Sequence, residues 1–154
     1  MNLIFRMLWV IVRSWFMPRL EAPYTSSIAL RVLPNDIDIN LHMNNGRYLT
    51  ICDLNRVDVF ARSGLLRAMF RRGWIPVLAE HTMNYKRPLN VFQRYTVKLE
   101  VTHWDEKYVH MKHTFIKDDR VMAEGTSRGC VYSRKDGVVR IDDAFAAVEE
   151  DRKR

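Results

Sequence analysis

Apolar side chains change their spacing along the chain, and each change marks an element. Over residues 3–17 they fill almost every position apart from Arg6, Arg13 and Ser14. At 100° per residue Asn2, Arg6 and Arg13 share one narrow stripe, with Ile4, Leu8, Ile11, Val12 and Trp15 opposite, which predicts an amphipathic helix that Pro18 stops. Residues 28–33 alternate loosely, Leu30 and Val32 on one side and Arg31 on the other, until Pro34-Asn35 breaks the strand. From Tyr48 onward, Leu49, Ile51, Cys52, Leu54, Val57, Phe60 and Ala61 recur at helical spacing. Asp53 with Arg56 and Asp58 with Arg62 can pair across turns of the remaining face, and Ser63-Gly64 closes the helix. So little polar surface predicts burial along most of its length. A short basic helix over residues 65–72 ends at Gly73.

Beyond Gly73 the period shortens to two. Residues 76–85 set Val77, Ala79, His81, Met83 and Tyr85 on one face, and Tyr95, Val97, Leu99 and Val101 alternate with Thr96, Lys98, Glu100 and Thr102. Residues 108–116 and 121–132 continue as antiparallel strands, and Asp136-Gly137 turns into a short strand over 138–141. The tail, 142–154, predicts a helix that frays into its charged end. A strand, a long apolar helix and then four or more tightly connected strands suit an α+β domain, an antiparallel sheet curled around one central helix. The expected division is an amphipathic helix over 1–18, the domain over 19–141 and the tail over 142–154.

A chain of 154 residues with 47% hydrophobic and 28% charged residues is long enough for one core and too apolar for a disordered chain. The net charge of +7 admits a polyanion partner, whether nucleic acid, anionic lipid or a phosphorylated carrier such as coenzyme A, beside a merely solvated basic surface. No interleaving of aromatic and basic residues supports nucleic acid. Cys52 and Cys130 are too few for a disulfide framework and lack zinc spacing, which points to a reducing compartment. The amino-terminal helix would reach about 22 Å, short of the roughly 30 Å hydrocarbon core, and no small-residue cleavage site follows it. Two readings stay open: a helix lying on a membrane with Trp9, Trp15 and the arginines at headgroup level, or one packed on the domain or a dimer mate.

The densest polar run lies between the first strand and the long helix, Asp36-Ile37-Asp38-Ile39-Asn40-Leu41-His42-Met43-Asn44-Asn45-Gly46-Arg47-Tyr48. Asp38, Asn40 and His42 are two apart, so an extended segment would converge them on one volume. Asn44 or Asn45 can cap the helix, and the amides around Asn45 and Gly46 could hold an oxyanion at the positive end of its dipole. Asp36, Asp38 and Asn44 also suit plain turn and cap duty, and Asp36 is assigned to it. His81, His103, His110 and His113 show no metal-binding spacing, so no metal site is expected; Cys52 reads as packing.

The polar run, with Arg31-Val32-Leu33-Pro34 before it and Tyr48-Leu49 closing it, resembles the hotdog-fold acyl thioesterases, and among them the thioesterase superfamily member 6-like proteins, over most of residues 28–135. Asp38-Ile39-Asn40-Leu41-His42 is also similar to the catalytic Asp-x-Asn-x-His of plant acyl carrier protein thioesterases, and 4-hydroxybenzoyl-CoA-type relatives carry their catalytic carboxylate at the position matching Asp38. The plant enzymes add a glutamate after a tyrosine and two basic residues; Tyr85-Lys86-Arg87-Pro88 has proline there, leaving Glu80 as the only acid of that strand.

The resemblance implies a hotdog fold with an extra amphipathic helix, and a thioesterase that hydrolyses an acyl-CoA or acyl carrier protein thioester at the interface of a homodimer or dimer of dimers. Asp38 would be base or nucleophile, with Asn40 and His42 assisting and Asn44, Asn45 and Gly46 forming the helix end. Lys86, Arg87 and Arg94, with Arg67, Arg71 and Arg72 behind them, are candidates for the coenzyme A phosphates; no cofactor beyond the thioester substrate is implied. The expected location is cytoplasmic, with contact to the inner membrane face through residues 1–18. The alternative is a non-catalytic hotdog protein that binds acyl chains or a membrane partner; a dehydratase is disfavoured because its histidine and acid belong elsewhere.

Overall fold

Helix α2 (Asn45–Ser63) lies against a sheet that curls around it in the computed structural model, which describes residues 3–153. Ile51, Cys52 and Leu54 pack on Ile28, Val97, Phe115 and Ala123 of the sheet's inner face. The strands are β1 (Thr25–Arg31), β2 (Trp74–Tyr85), β3 (Arg94–Trp104), β4 (Val109–Lys117), β5 (Arg120–Ser133) and β6 (Gly137–Val139). All pair antiparallel, in the order β1-β3-β4-β5-β2, with β6 added to β5. This is the α+β hotdog architecture.

The predicted ion pairs of α2 form, and that of Asp58 with Arg62 lies inside the domain. Asp58 is fully buried: Arg62 donates to it at 3.0 Å and the Ser26 hydroxyl at 2.6 Å. The Asn55 side-chain amide reaches the Ser26 hydroxyl at 3.1 Å and the Val97 carbonyl at 3.3 Å. These bonds explain why β1 begins at Thr25 rather than residue 28, since a serine satisfied by a buried carboxylate can sit inside a sheet.

Strand β2 begins at Trp74, and its register with β5 shifts between Leu78 and Glu80. The bulge breaks the single face expected over residues 77–85: His81 and Met83 are half-buried, whereas Val77 and Ala79 before it are exposed. The chain's final strand stops at Val139, and Ile141 starts α4 (Ile141–Arg152) instead of closing a strand. Helix α4 does not fray where expected. Ala144, Ala147 and Val148 pack on Leu65, Ala68 and Met69 of α3 (Leu65–Arg72), and Asp151 sits 3.1 Å from both Arg71 and Arg72.

Helix α1 (Leu3–Trp15) packs on the domain through its polar stripe. Arg6 is 2% exposed and donates to Asp36 at 2.5 Å, Val10 is fully buried, and Arg13 lies 3.4 Å from Asp58. Arg6 therefore cannot stand at headgroup level, and the apolar side points away from the domain. Asn2 and Arg154, assigned above to the stripe and the tail, lie outside the described residues. No described helix is long and apolar enough to cross a membrane.

Candidate active site

The loop from β1 to α2 is shaped by backbone hydrogen bonds. A single 3-10 turn, Pro34–Asp36, lets the Leu33 amide donate to the Asp36 carboxylate at 2.9 Å. Ile37 then bridges Met43, the Asp38 amide donates to the His42 carbonyl at 3.1 Å, and the Leu41 amide donates back to the Asp38 carbonyl at 3.0 Å. The segment is thus a tight hairpin, closed by Leu41 in the left-handed region at φ 62°. The expected extended segment, with Asp38, Asn40 and His42 on one face, does not form.

A different set meets at Asp38, which is half-buried. Oδ1 accepts the Asn40 backbone amide at 2.9 Å, and Oδ2 accepts the Asn44 side-chain amide at 3.5 Å. The Asn44 oxygen in turn accepts the Gly46 amide at 2.8 Å as the N-cap of α2. One side chain therefore ties the carboxylate to the start of the helix. Asn40 contributes its backbone, with its side chain exposed. Of the two amides expected to receive an oxyanion, that of Gly46 is occupied by the cap, which leaves that of Asn45, whose carbonyl accepts the Tyr85 hydroxyl at 2.9 Å.

His42 faces elsewhere. With Asn45, Tyr48, Tyr85, Lys86 and Arg87 it lines a cleft of about 220 Å³ whose walls do not include Asp38. Burial pushes the Tyr48 phenol up to about 12, so it stays protonated there. Lys86 pairs with Glu124 at 2.5 Å, and Arg87 donates to the Val121 carbonyl at 3.1 Å. Arg94 is separate from this pair, directly opposite Arg31 across β1 and β3. Arg71 and Arg72 are engaged by Asp151. Glu80 pairs with Arg128 at 2.8 Å.

Two polar clusters escaped the sequence reading. Asp36, assigned to a turn, is fully buried between Arg6 and Arg47, the latter at 2.8 Å. Burial pushes its carboxyl up, but hydrogen bonds from Arg6, the Leu33 amide and Arg47 outweigh that and hold the pKa below the ordinary value. The second cluster gathers Cys52, His81 and His113, whose ligand atoms lie within 4.8 Å of one another. The sequence spacing of His81 and His113 gave no sign that they meet. Arg56 contacts His81 Nδ1 at 3.1 Å and His113 Nε2 at 3.5 Å, and the Ser127 hydroxyl meets His113 Nε2 at 2.8 Å. A guanidinium at the centre opposes a cation. Burial, then the Arg56 charge, pushes His81 down to about 4 and His113 down to about 3, while burial raises the Cys52 thiol to about 12. These groups come from three elements, so no local spacing could reveal them. Beside them an apolar pocket of about 280 Å³ opens between α2 and the sheet, lined by Val57, Phe60, Val77, Leu78, Met111 and Cys130.

Known proteins of similar sequence and structure share the fold. A family model described as Thioesterase-like superfamily matches residues 32–148. Protein THEM6 of Xenopus laevis is 40% identical over 99 residues, which are 63% of this chain and 48% of that protein, so the chain spans about half the length of the curated relatives it matches. Among solved structures, gentisyl-coenzyme A thioesterase BH1999 superposes with a TM-score of 0.71 at 20% identity, covering 79% of this chain and 99% of that one. Protein SAV2348 of Staphylococcus aureus, solved in complex with CoA, superposes with a TM-score of 0.70 at 17% identity over 87% and 84% of the two chains. At those identities the structural likeness speaks for the fold.

Proposed function

Because the chain belongs to the thioesterase-like superfamily, we propose that it hydrolyses an acyl thioester of coenzyme A or acyl carrier protein, with Asp38 as the reacting carboxylate. The observation that carries this reading is the Asp38–Asn44–Gly46 chain of hydrogen bonds, which holds a half-buried carboxylate beside the amino-terminal end of α2. The coenzyme A in the SAV2348 complex and the gentisyl-coenzyme A activity in the name of BH1999 favour coenzyme A as the carrier.

In the proposed reaction, oxygen from water bonds to the thioester carbonyl carbon while Asp38 takes the water's proton, or Asp38 attacks first and water then releases the acid. The carbonyl oxygen becomes an oxyanion held by the Asn45 amide and the helix dipole. Its collapse breaks the C–S bond, and the departing thiolate takes up the proton. Asn44 orients the carboxylate.

The open edge of β2 supports a homodimer. This strand ends the sheet, and Ile75, Val77 and Leu78 on it are each about 40% exposed, an apolar edge that invites pairing. Val77, at the apolar pocket, and Tyr85, at the helix start, are about 26 Å apart along one strand. Antiparallel pairing with a second β2 would bring the pocket of one copy towards the Asp38 end of the other, giving an acyl group a dry wall.

A panel of short, medium-chain and aromatic acyl-CoA thioesters, read by release of free thiol, tests the reading. Turnover of at least one class supports it. Saturable acyl binding without turnover of any of them supports the non-catalytic alternative instead.

A further inference from the structure

Helix α1 is oriented opposite to an ordinary surface helix. Its polar residues are spent inward, Arg6 on Asp36 and Arg13 on Asp58, so most of its apolar residues are driven outward. Ile4, Phe5, Leu8, Trp9, Val12, Trp15 and Phe16 form one continuous strip, with Trp15 and Phe16 74% and 83% exposed. Val10 joins the core and Leu3 and Met7 pack against it, yet a buried arginine at the centre of the contact is a costly way to hold a helix. The arrangement fixes which face looks out. A contiguous exposed apolar strip of this kind marks a contact surface.

The charges around the strip identify the contact. Trp9 shares a cleft of about 380 Å³ with Arg31 and Arg94, both exposed. These two arginines face each other directly across β1 and β3, a like-charge pair that costs stability, and neither has a carboxylate partner among the described residues. Arg19, exposed, follows the helix. Association of two such faces would bring these cations together, whereas an anionic surface neutralises them. The aromatic side chains suit the headgroup boundary, and α1, about 20 Å long, can lie on a bilayer but not span it.

We infer that the outward face of α1, with Arg31 and Arg94 at its rim, docks the protein on an anionic lipid surface. The helix lies in the interfacial plane, its strip immersed and its polar stripe still bonded to Asp36 and Asp58. Since Asp36 also holds Arg47 and, through its carbonyl at 2.8 Å, the Asn44 amide, the docking helix is joined through buried bonds to the loop that carries Asp38.

Flotation of the full chain with vesicles tests this. The wild-type chain should float with phosphatidylcholine vesicles containing phosphatidylglycerol, at least about tenfold more strongly than with phosphatidylcholine alone. The double variant Trp15→Ser, Phe16→Ser should lose flotation while keeping its melting temperature and sedimentation coefficient, since both side chains are exposed, and Arg31→Gln with Arg94→Gln should weaken the anionic preference. Absence of wild-type flotation, or flotation unchanged in the Trp15/Phe16 variant, overturns the inference. A fall in the oligomeric state of that variant also overturns it and makes the strip a contact between copies of the chain. Equal flotation on both vesicle types overturns the anionic assignment.

Discussion

Arg6 of α1 and Asp36 of the site loop form an ion pair in which the two side chains are 2% and 0% exposed, at 2.5 Å. A second arginine, Arg47 from the first turns of α2, holds the other oxygen of the same carboxylate. One buried negative charge thus pins the amino-terminal helix, the loop and the start of α2 together. Losing the charge strands two guanidiniums, so Asp36→Asn should lower the unfolding free energy by about 3–5 kcal/mol, measured by urea titration at neutral pH. Because the folded-state pKa of Asp36 is lowered, this contribution is present above the unfolded value near 3.8 and disappears as pH falls through the folded one.

Asn44 serves both the helix and the carboxylate. Asn44→Ala should cost about 1 kcal/mol of stability through the lost cap. If it also orients Asp38, kcat should fall about tenfold or more, the effect of about 1.4 kcal/mol felt only in the transition state, with KM little changed. A loss of stability with kcat intact would reduce Asn44 to a cap.

The Cys52, His81 and His113 cluster gives the protein an acid-sensitive core. Both histidines are neutral when folded, their pKa values lowered to about 4 and about 3 by burial and then by Arg56. The unfolded chain binds protons near 6.5 and the folded one does not, so stability falls as pH drops from about 6.5 towards 4. Urea midpoints measured across that window should decline in the wild type and decline less steeply in His113→Gln.

Gly125 on β5 is sterically fixed. A Cβ there would stand 2.0 Å from the Thr82 carbonyl oxygen of β2, a backbone atom that cannot move without opening the pairing of the two strands. Gly125→Ala should cost about 3 kcal/mol or more, or prevent folding, as read by thermal unfolding and soluble yield.

Separation of the two chemical roles open to Asp38 needs one turnover in water labelled with heavy oxygen. Label appearing in the Asp38 carboxylate marks a nucleophile; where label enters the product acid alone, capture of an acyl-Asp38 anhydride with hydroxylamine separates a nucleophile from a base.

Much of the fold was legible because side-chain periodicity reports burial. The wide apolar face over Ile51, Cys52 and Leu54 announced the central helix, and the alternation from Tyr95 to Val101 announced β3. Reading failed where polar residues go inside. Ser26 fell outside the strand expected from residue 28 although it is buried against Asp58, and Arg6, placed on a stripe that could lie at headgroup level, is buried against Asp36. Such partners lie 32 and 30 residues away in sequence, and no local pattern records them. At the site, the residue types were legible and their geometry was not. The Asp38 to Leu41 turn replaces the extended segment, so Asn44, rather than the side chains of Asn40 and His42, contacts the carboxylate. The ability of Leu41 to occupy the left-handed region is invisible in its identity.

The most direct test of Asp38 as the reacting group is the steady-state hydrolysis of the best acyl-CoA substrate by Asp38→Asn, beside wild type and with circular dichroism to verify the fold. The substitution keeps the shape and the capacity to accept the Asn40 amide while removing the negative charge. Loss of about 10² in kcat or more in a folded variant, with acyl-CoA still bound, is the predicted result. Wild-type turnover in the folded Asp38→Asn protein would contradict the account.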